Sequence, residues 1–210
     1  MKSRFSLVVA IGAVLILSAV RGAEASHFSQ NQFMTAESLD PGMTQTGIHF
    51  SIGDRFRSYY PAMRYGMGGL MELGFKFGAV SARFDSGEKL GPLAGVDLKY
   101  QLIRETEGIP IDMAVDLGYD SIIISSRNAS ELTFATIISK GYPLTDRGYK
   151  IVPYGVLSMT ALYGSLVNDR ESYVNVAAGL AWKLSPRFLI QLELKAGDNT
   201  TGGAGIVFEY

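Results

Sequence analysis

From residue 44 onward the chain is a succession of segments in which every second residue is apolar. Ile48, Phe50 and Ile52 alternate with Gly47, His49 and Ser51. Met71, Leu73, Phe75 and Phe77 alternate with Glu72, Gly74, Lys76 and Gly78. The stretch from Ala94 to Leu102 sets Val96, Leu98 and Tyr100 against Gly95, Asp97, Lys99 and Gln101. That from Ile109 to Tyr119 sets Met113, Val115 and Leu117 against Asp112, Asp116, Gly118 and Asp120. The same period returns in Val174–Trp182, in Phe188–Leu194 and in the closing Ala204, Ile206, Phe208 and Tyr210. Successive side chains of a strand point to opposite faces, so each segment reads as a strand with one apolar face and one small or polar face.

The spacing predicts ten strands, over 44–53, 55–65, 70–78, 93–103, 109–120, 131–142, 151–163, 173–184, 188–196 and 203–210. Soluble sandwiches alternate too, but these segments run to the ~9–11 residues that a tilted strand needs to cross a bilayer, beyond the usual ~5–6. The second face also carries glycine, alanine and mixed charges, which suits a crowded polar lumen. The expected fold class is therefore an all-β, transmembrane, antiparallel up-and-down β-barrel of about ten strands, with eight to twelve left open. Segment 55–65 is the least regular, because Pro61 interrupts it and its apolar phase switches between Phe56 and Met63. A bulge there, or an eight-stranded barrel, is the alternative. A sixteen-stranded barrel needs roughly 160 strand residues, too many for this chain. With Tyr210 in the periplasm, the inner turns are 66–69, 104–108, 143–150 and 185–187. The outer loops 79–92, 121–130, 164–172 and 197–202 are longer, as bacterial barrels require. The uncharged run 151–167 contains Pro153, Gly155 and Gly164, and reads as a strand entering a loop rather than as a helix.

Before residue 44 the pattern is different. Lys2 and Arg4 precede an apolar run from Phe5 to Val20, and Ala23-Glu24-Ala25 supplies a small-x-small cleavage site. Residues 1–25 are read as a signal peptide, residues 26–43 as a polar N-terminal lead-in, and 44–210 as the barrel domain. Composition supports export into a membrane. Charged residues are 19% of the chain, and there are 24 glycines among 210 residues; typical values are about 25% and ~7%. The absence of cysteine removes disulfide, thiolate-metal and Cys-nucleophile chemistry. Two histidines leave little for a metal site, and a formal charge of −1 gives no reason to bind nucleic acid.

Signal, alternating strands and terminal aromatic together resemble bacterial outer-membrane β-barrel proteins. The stretches RYGMGGLMELGFKFG (64–78), GVDLKYQL (95–102), PIDMAVDLGY (110–119) and IVPYGV (151–156) are similar to those of small porin-like members without a defined activity. The resemblance covers nearly the whole chain after residue 25. It implies location in the bacterial outer membrane, contact with outer-membrane lipid, and recognition of the last strand by the barrel-assembly machinery through Phe208 and Tyr210. Porins usually end in Phe, and Tyr210 departs from that.

Candidate chemistry lies on the second face. The residues expected to face the lumen are His49, Glu72, Lys76, Asp97, Lys99, Asp112, Asp116, Asp120, Lys183, Glu193 and Lys195. One reading has these charges selecting a small ion or solute. The other has them paired and plugging a narrow barrel, since buried charges need partners. Asp112, Asp116 and Asp120 sit about 13 Å apart in sequence along one face, too far to share a cation without other strands. His49 shares its face with Ser51, the only arrangement suggestive of a hydrolase. No third orienting residue is visible, so no catalytic residue, metal or cofactor is expected. Tyr59, Tyr60, Tyr65, Tyr100, Tyr119, Tyr142, Tyr154, Tyr163, Trp182 and Phe188 fall near strand ends, as aromatic girdles would. The expected function is structural or that of a narrow passive pore for ions or small solutes. The alternative is surface adhesion through loops 79–92 and 121–130, with a barrel hydrolase behind it. Oligomeric state is not legible.

Overall fold

The structure, a computed structural model, describes residues 33–54, 56–84, 87–106, 108–144, 149–166, 171–197 and 200–210. The expected signal peptide over residues 1–25 and residues 26–32 lie outside the described residues. Ten long antiparallel strands close on themselves. They are β1 (Thr44–Gly53), β2 (Phe56–Gly68), β3 (Met71–Phe84), β4 (Gly87–Ile103), β5 (Asp112–Ile124), β6 (Arg127–Ser139), β8 (Lys150–Tyr163), β9 (Glu171–Ser185), β10 (Phe188–Ala196) and β11 (Thr201–Glu209). The two-residue β7 (Tyr142–Pro143) is a flap on the start of β8. Each strand pairs with its sequence neighbours, β6 pairs directly with β8, and β1 pairs with β11 to complete the ring. At that seam Thr44 and Tyr210 exchange backbone hydrogen bonds, N to O, of 2.8 and 2.9 Å. Closure removes every sheet edge, the condition for a sheet to stand in hydrocarbon. Among the described residues no helix is long and apolar enough to cross a membrane.

The alternation produces two surfaces. Ile48, Phe77, Leu117, Phe134, Met159, Val174, Leu192 and Ile206 point outward and are about half exposed or more, together with many other large apolar residues. A belt of this extent all round a molecule is far larger than the patches a water-soluble surface carries. The residues between them point into the barrel and are buried.

Several strands are longer than the periodicity predicts. β3 has 14 residues and β4 has 17, so 79–92 is not a loop: it is the end of one hairpin, with Val80 and Ala82 on β3 and Leu93 on β4 facing inward. Segment 121–130 is likewise a hairpin turning at Ser125 and Ser126, whose φ values of 52° and 65° suit a two-residue turn between twisted strands. These ends carry Ser81, Arg83 and Glu88 outward together with Leu90 and Ile123, while Val80, Ala82, Leu93, Ile122 and Ile124 turn inward. Apolar residues thus occupy the inner face as well beyond the belt, and a search for outward apolar residues alone stops too early. The expected difference in connection length fails with it. At the end holding Thr44 and Tyr210 the connections 104–111 and 140–149 are the longest, whereas at the other end β5 and β6 are joined by Ser125–Ser126 alone.

Smaller shifts have local causes. Segment 109–120 starts its strand only at Asp112, because Ile109 is held in the connection by reciprocal backbone bonds with Thr106. In segment 55–65 the phase never switches: Phe56, Tyr60, Ala62 and Arg64 face inward, and Phe56 is apolar because it belongs to an apolar layer inside the barrel. The ladder to β3 is broken at Pro61, between Tyr59↔Ala79 and Ala62↔Lys76. Opposite the break, a Cβ on Gly78 would lie 2.1 Å from the Tyr59 carbonyl oxygen, so only glycine admits this approach.

That inner layer fills the end of the barrel away from the termini. Phe56, Val80, Leu93, Ile122, Ile124 and Leu162 are its best-buried large members. Replacing Ile122 by Ala is expected to cost about 2–4 kcal/mol, from lost transfer energy and the cavity left behind. Ile123→Ala, which faces outward, should cost clearly less. Urea titration of the detergent-refolded protein, followed by Trp182 fluorescence, reads the difference.

Candidate functional site

Below the apolar layer the lumen is polar, and glycines make the space for its charges. Across β3, β4 and β5 the inward residues pair as Gly74↔Asp97↔Gly118, Lys76↔Gly95↔Asp120 and Glu72↔Lys99↔Asp116. A Cβ on Gly74 would meet the Asp97 carboxylate at 2.3 Å, and one on Gly95 would meet Asp120 Oδ1 at 1.9 Å. Small residues therefore stand beside large charged ones, which lets a narrow barrel hold a full layer of them.

The charges are joined into a network. The Arg64 guanidinium donates to Asp97 Oδ1 at 2.6 Å and lies 3.4 Å from Glu72 Oε2. Lys99 Nζ is 3.0 Å from Glu72 Oε1, and Lys76 Nζ is 2.8 Å from Asp120 Oδ2. Lys195 interacts electrostatically with Glu131 and Glu193. Near the terminal mouth Lys183 is paired with Glu209, which also accepts from Gln45 Nε2 at 2.8 Å. Asp112 accepts from Gln101 Nε2 at 2.7 Å and from the Glu105 amide at 2.8 Å. In this interior a charge left without its partner costs several kcal/mol.

The described part of the lead-in lies inside the barrel. Residues 33–41 cross the lumen, with Phe33, Met34, Ala36 and Ser38 buried. The chain walls bind this segment largely through its backbone. The Phe33 amide donates to Glu193 Oε2 at 2.8 Å, Ala36 to Ser139 Oγ at 3.0 Å, Ser38 to Gln101 Oε1 at 2.9 Å and Leu39 to Glu72 Oε1 at 2.6 Å. Lys99 Nζ donates to the carbonyls of Thr35 and Glu37 at 2.9 and 2.8 Å. Glu37 pairs with Lys150 near the mouth. Polarity without periodicity marks a loop in sequence; here it marks a backbone that bonds to walls instead of to a neighbouring strand.

His49, Glu72, Lys76, Asp97, Lys99, Asp112, Asp116, Asp120, Lys183, Glu193 and Lys195 all lie on the inward face. The sequence reading passed over Arg64, Gln101, Glu131, Ser139, Gln191 and Glu209. Arg64 is obscured by the irregularity at Pro61, and Gln101 sits in plain alternation but is uncharged. His49 and Ser51 form no dyad. The imidazole Nε2 lies 3.2 Å from Gln191 Oε1, and the ring packs between Phe33 and Tyr60 at centroid distances of 4.9 and 5.4 Å. Among the described residues no carboxylate is hydrogen-bonded to it. Two residues expected in the girdles, Tyr60 and Tyr154, are interior instead; Tyr154 donates to Glu193 at 3.0 Å. Tyr59, Tyr65, Tyr100, Trp182, Phe208 and Tyr210 face outward. The Phe208 ring lies 5.2 Å from that of Phe188.

No protein-family model and no curated protein matches the chain. Its fold is similar to those of solved bacterial outer-membrane barrels. The N-terminal β-barrel domain of OprF from Pseudomonas aeruginosa is 12% identical, with 81% of this chain and 98% of that one covered and a TM-score of 0.39. The COG4313 outer membrane channel from Pseudomonas putida F1 is 14% identical over 88% and 100%, with a TM-score of 0.45. The beta domain of the Bordetella autotransporter BrkA is 13% identical over 81% and 100%, with a TM-score of 0.47.

Arg64→Met leaves Asp97 and Glu72 short of a cation and is expected to destabilise the barrel by about 3 kcal/mol. Adding Asp97→Asn should recover part of that loss, which a double-mutant cycle in urea measures.

Proposed function

We propose that this chain is a small bacterial outer-membrane β-barrel that stands in the membrane closed, in a structural role. The observation that carries this reading is the occupied interior: an apolar layer at one end, a paired-charge layer below it, and residues 33–41 threaded across. The outward apolar belt supports contact with lipid acyl chains. Export through a cleaved signal over residues 1–25 accords with the sequence. Phe208 and Tyr210, exposed on the last strand, suit recognition by the assembly machinery, and they orient the terminal end toward the periplasm. Connection length gives that orientation no support.

A second reading is a narrow passive pore for ions or small solutes, opened when the N-terminal segment withdraws. A cavity of about 140 Å³ beside residues 33–40 at the terminal mouth favours it. Against it, withdrawal would still leave the apolar layer around Leu93 and Ile122 closing the far end.

The refolded full-length protein should migrate differently on gels before and after boiling, and should give no steady current in planar bilayers. Unchanged mobility together with solubility in plain buffer would overturn the membrane barrel. Stable channels from the intact protein would replace the closed reading by the pore.

A further inference from the structure

Two arginines stand at the rim of the wall away from the termini, just beyond the apolar belt. Arg57 on β2 and Arg83 on β3 both point outward and are exposed. Arg57 lies opposite Ser81, and Arg83 follows two residues later, so the two positions are diagonal neighbours ~7–8 Å apart. With Ser81 they line a recess of about 130 Å³. Asp54 and Glu88 line it too, and Glu88 accepts a hydrogen bond from Ser81 Oγ. Among the described residues, neither arginine forms an ion pair with a carboxylate.

The same strands carry a groove directly below the recess. It has a volume of about 810 Å³ and runs over the outward face of β1, β2, β3 and β11. Pro61 and Ala204 are its small outward residues, and Phe50, Met63, Phe75 and Phe77 flank them. Between groove and recess sits Tyr59, half exposed, its ring 4.9 Å from that of Phe50. Tyr59 is two residues from Pro61 and two from Arg57, and each such step along β2 covers about 7 Å. A tyrosine at this height suits the border between hydrocarbon and headgroups. Groove, phenol ring and guanidinium pair thus succeed one another along one stripe of the wall, as acyl chain, glycerol and phosphate do along a lipid.

The groove alone selects nothing, because the hydrocarbon around it is as apolar as the side chains that line it. The arginines do select. A guanidinium meets two phosphate oxygens with parallel hydrogen bonds, and two long side chains this close can grip one phosphate together. A headgroup that carries its own cation gains less from them. We propose that this stripe is a docking site for one membrane lipid with a net negative, phosphate-bearing headgroup. Arg57 and Arg83 hold the phosphate, and one acyl chain lies in the groove over Pro61 and Ala204. The site rests on the reading of the chain as a membrane barrel, and not on whether its lumen is closed.

Native mass spectrometry of the full-length protein, refolded in neutral detergent, tests the site with dioleoylphosphatidylglycerol or dioleoylphosphatidylcholine added. Each barrel should retain one phosphatidylglycerol, and should hold phosphatidylcholine much more weakly. Arg57→Gln combined with Arg83→Gln should lower the affinity for phosphatidylglycerol roughly 5-fold per arginine. Ala204→Phe, which fills the groove and leaves the arginines intact, should lower it as well. Arg127→Gln, at the same end but on β6, should not change it. Equal retention of the two lipids overturns the site. So does binding that survives the paired arginine substitution or Ala204→Phe, or that Arg127→Gln weakens as much. Dimers that Ala204→Phe disperses would give the groove to a second copy of the chain instead. The gel shift on boiling separates the two levels of failure. A protein that lacks it fails the membrane-barrel reading itself, whereas a heat-modifiable barrel without lipid preference fails this site alone.

Discussion

A ring of ten strands encloses a narrow lumen, and every inward side chain must find its partner inside it. The backbone satisfies itself around the ring, so nothing in the wall can relieve an unmatched group in the lumen. Everything distinctive about the interior answers to this. Glycines lie beside long charged side chains, cations alternate with carboxylates from strand to strand, and a stretch of chain without periodicity fills what the walls leave. Where the strands rise past the outward belt, the interior becomes a small apolar core of the kind a soluble protein has.

The two halves of the lumen obey different physics. In the apolar half, burial drives packing, and cohesion comes from close contact among Leu93, Ile122, Ile124, Phe56 and their neighbours. In the polar half, burial is the cost, and cohesion comes from charge pairing that only just outweighs desolvation. Residues 33–41 bridge the two: Phe33 belongs to the apolar cluster, while the amides and carbonyls beyond it bind Glu193, Gln101, Glu72 and Lys99.

Much of the architecture was legible because period-two alternation is a direct image of a wall between two media. The outward set from Ile48 to Phe208 and the inward charges from Glu72 to Lys195 follow from that alone. What alternation concealed was any change of medium along a strand. Val80, Ala82 and Ile124 resemble loop residues when hydrocarbon is expected only outside, and Arg64 disappears behind Pro61. The partners of the charges were out of reach in a different way. Arg64 meets Asp97 and Tyr154 meets Glu193 through cross-strand register, which local sequence does not encode. The lead-in offered no pattern, since its bonds run to residues as much as 160 positions away.

The seam where Thr44 meets Tyr210 closes around a segment that immediately precedes Thr44 in the chain. Residues 33–41 cannot be slipped sideways into a finished ring. They must already lie between the strands when β1 and β11 join, or be fed in afterwards through the mouth. In the first course, the same event that seals the wall traps the filling, so the order in which the chain ends arrive decides whether the barrel is born full or empty.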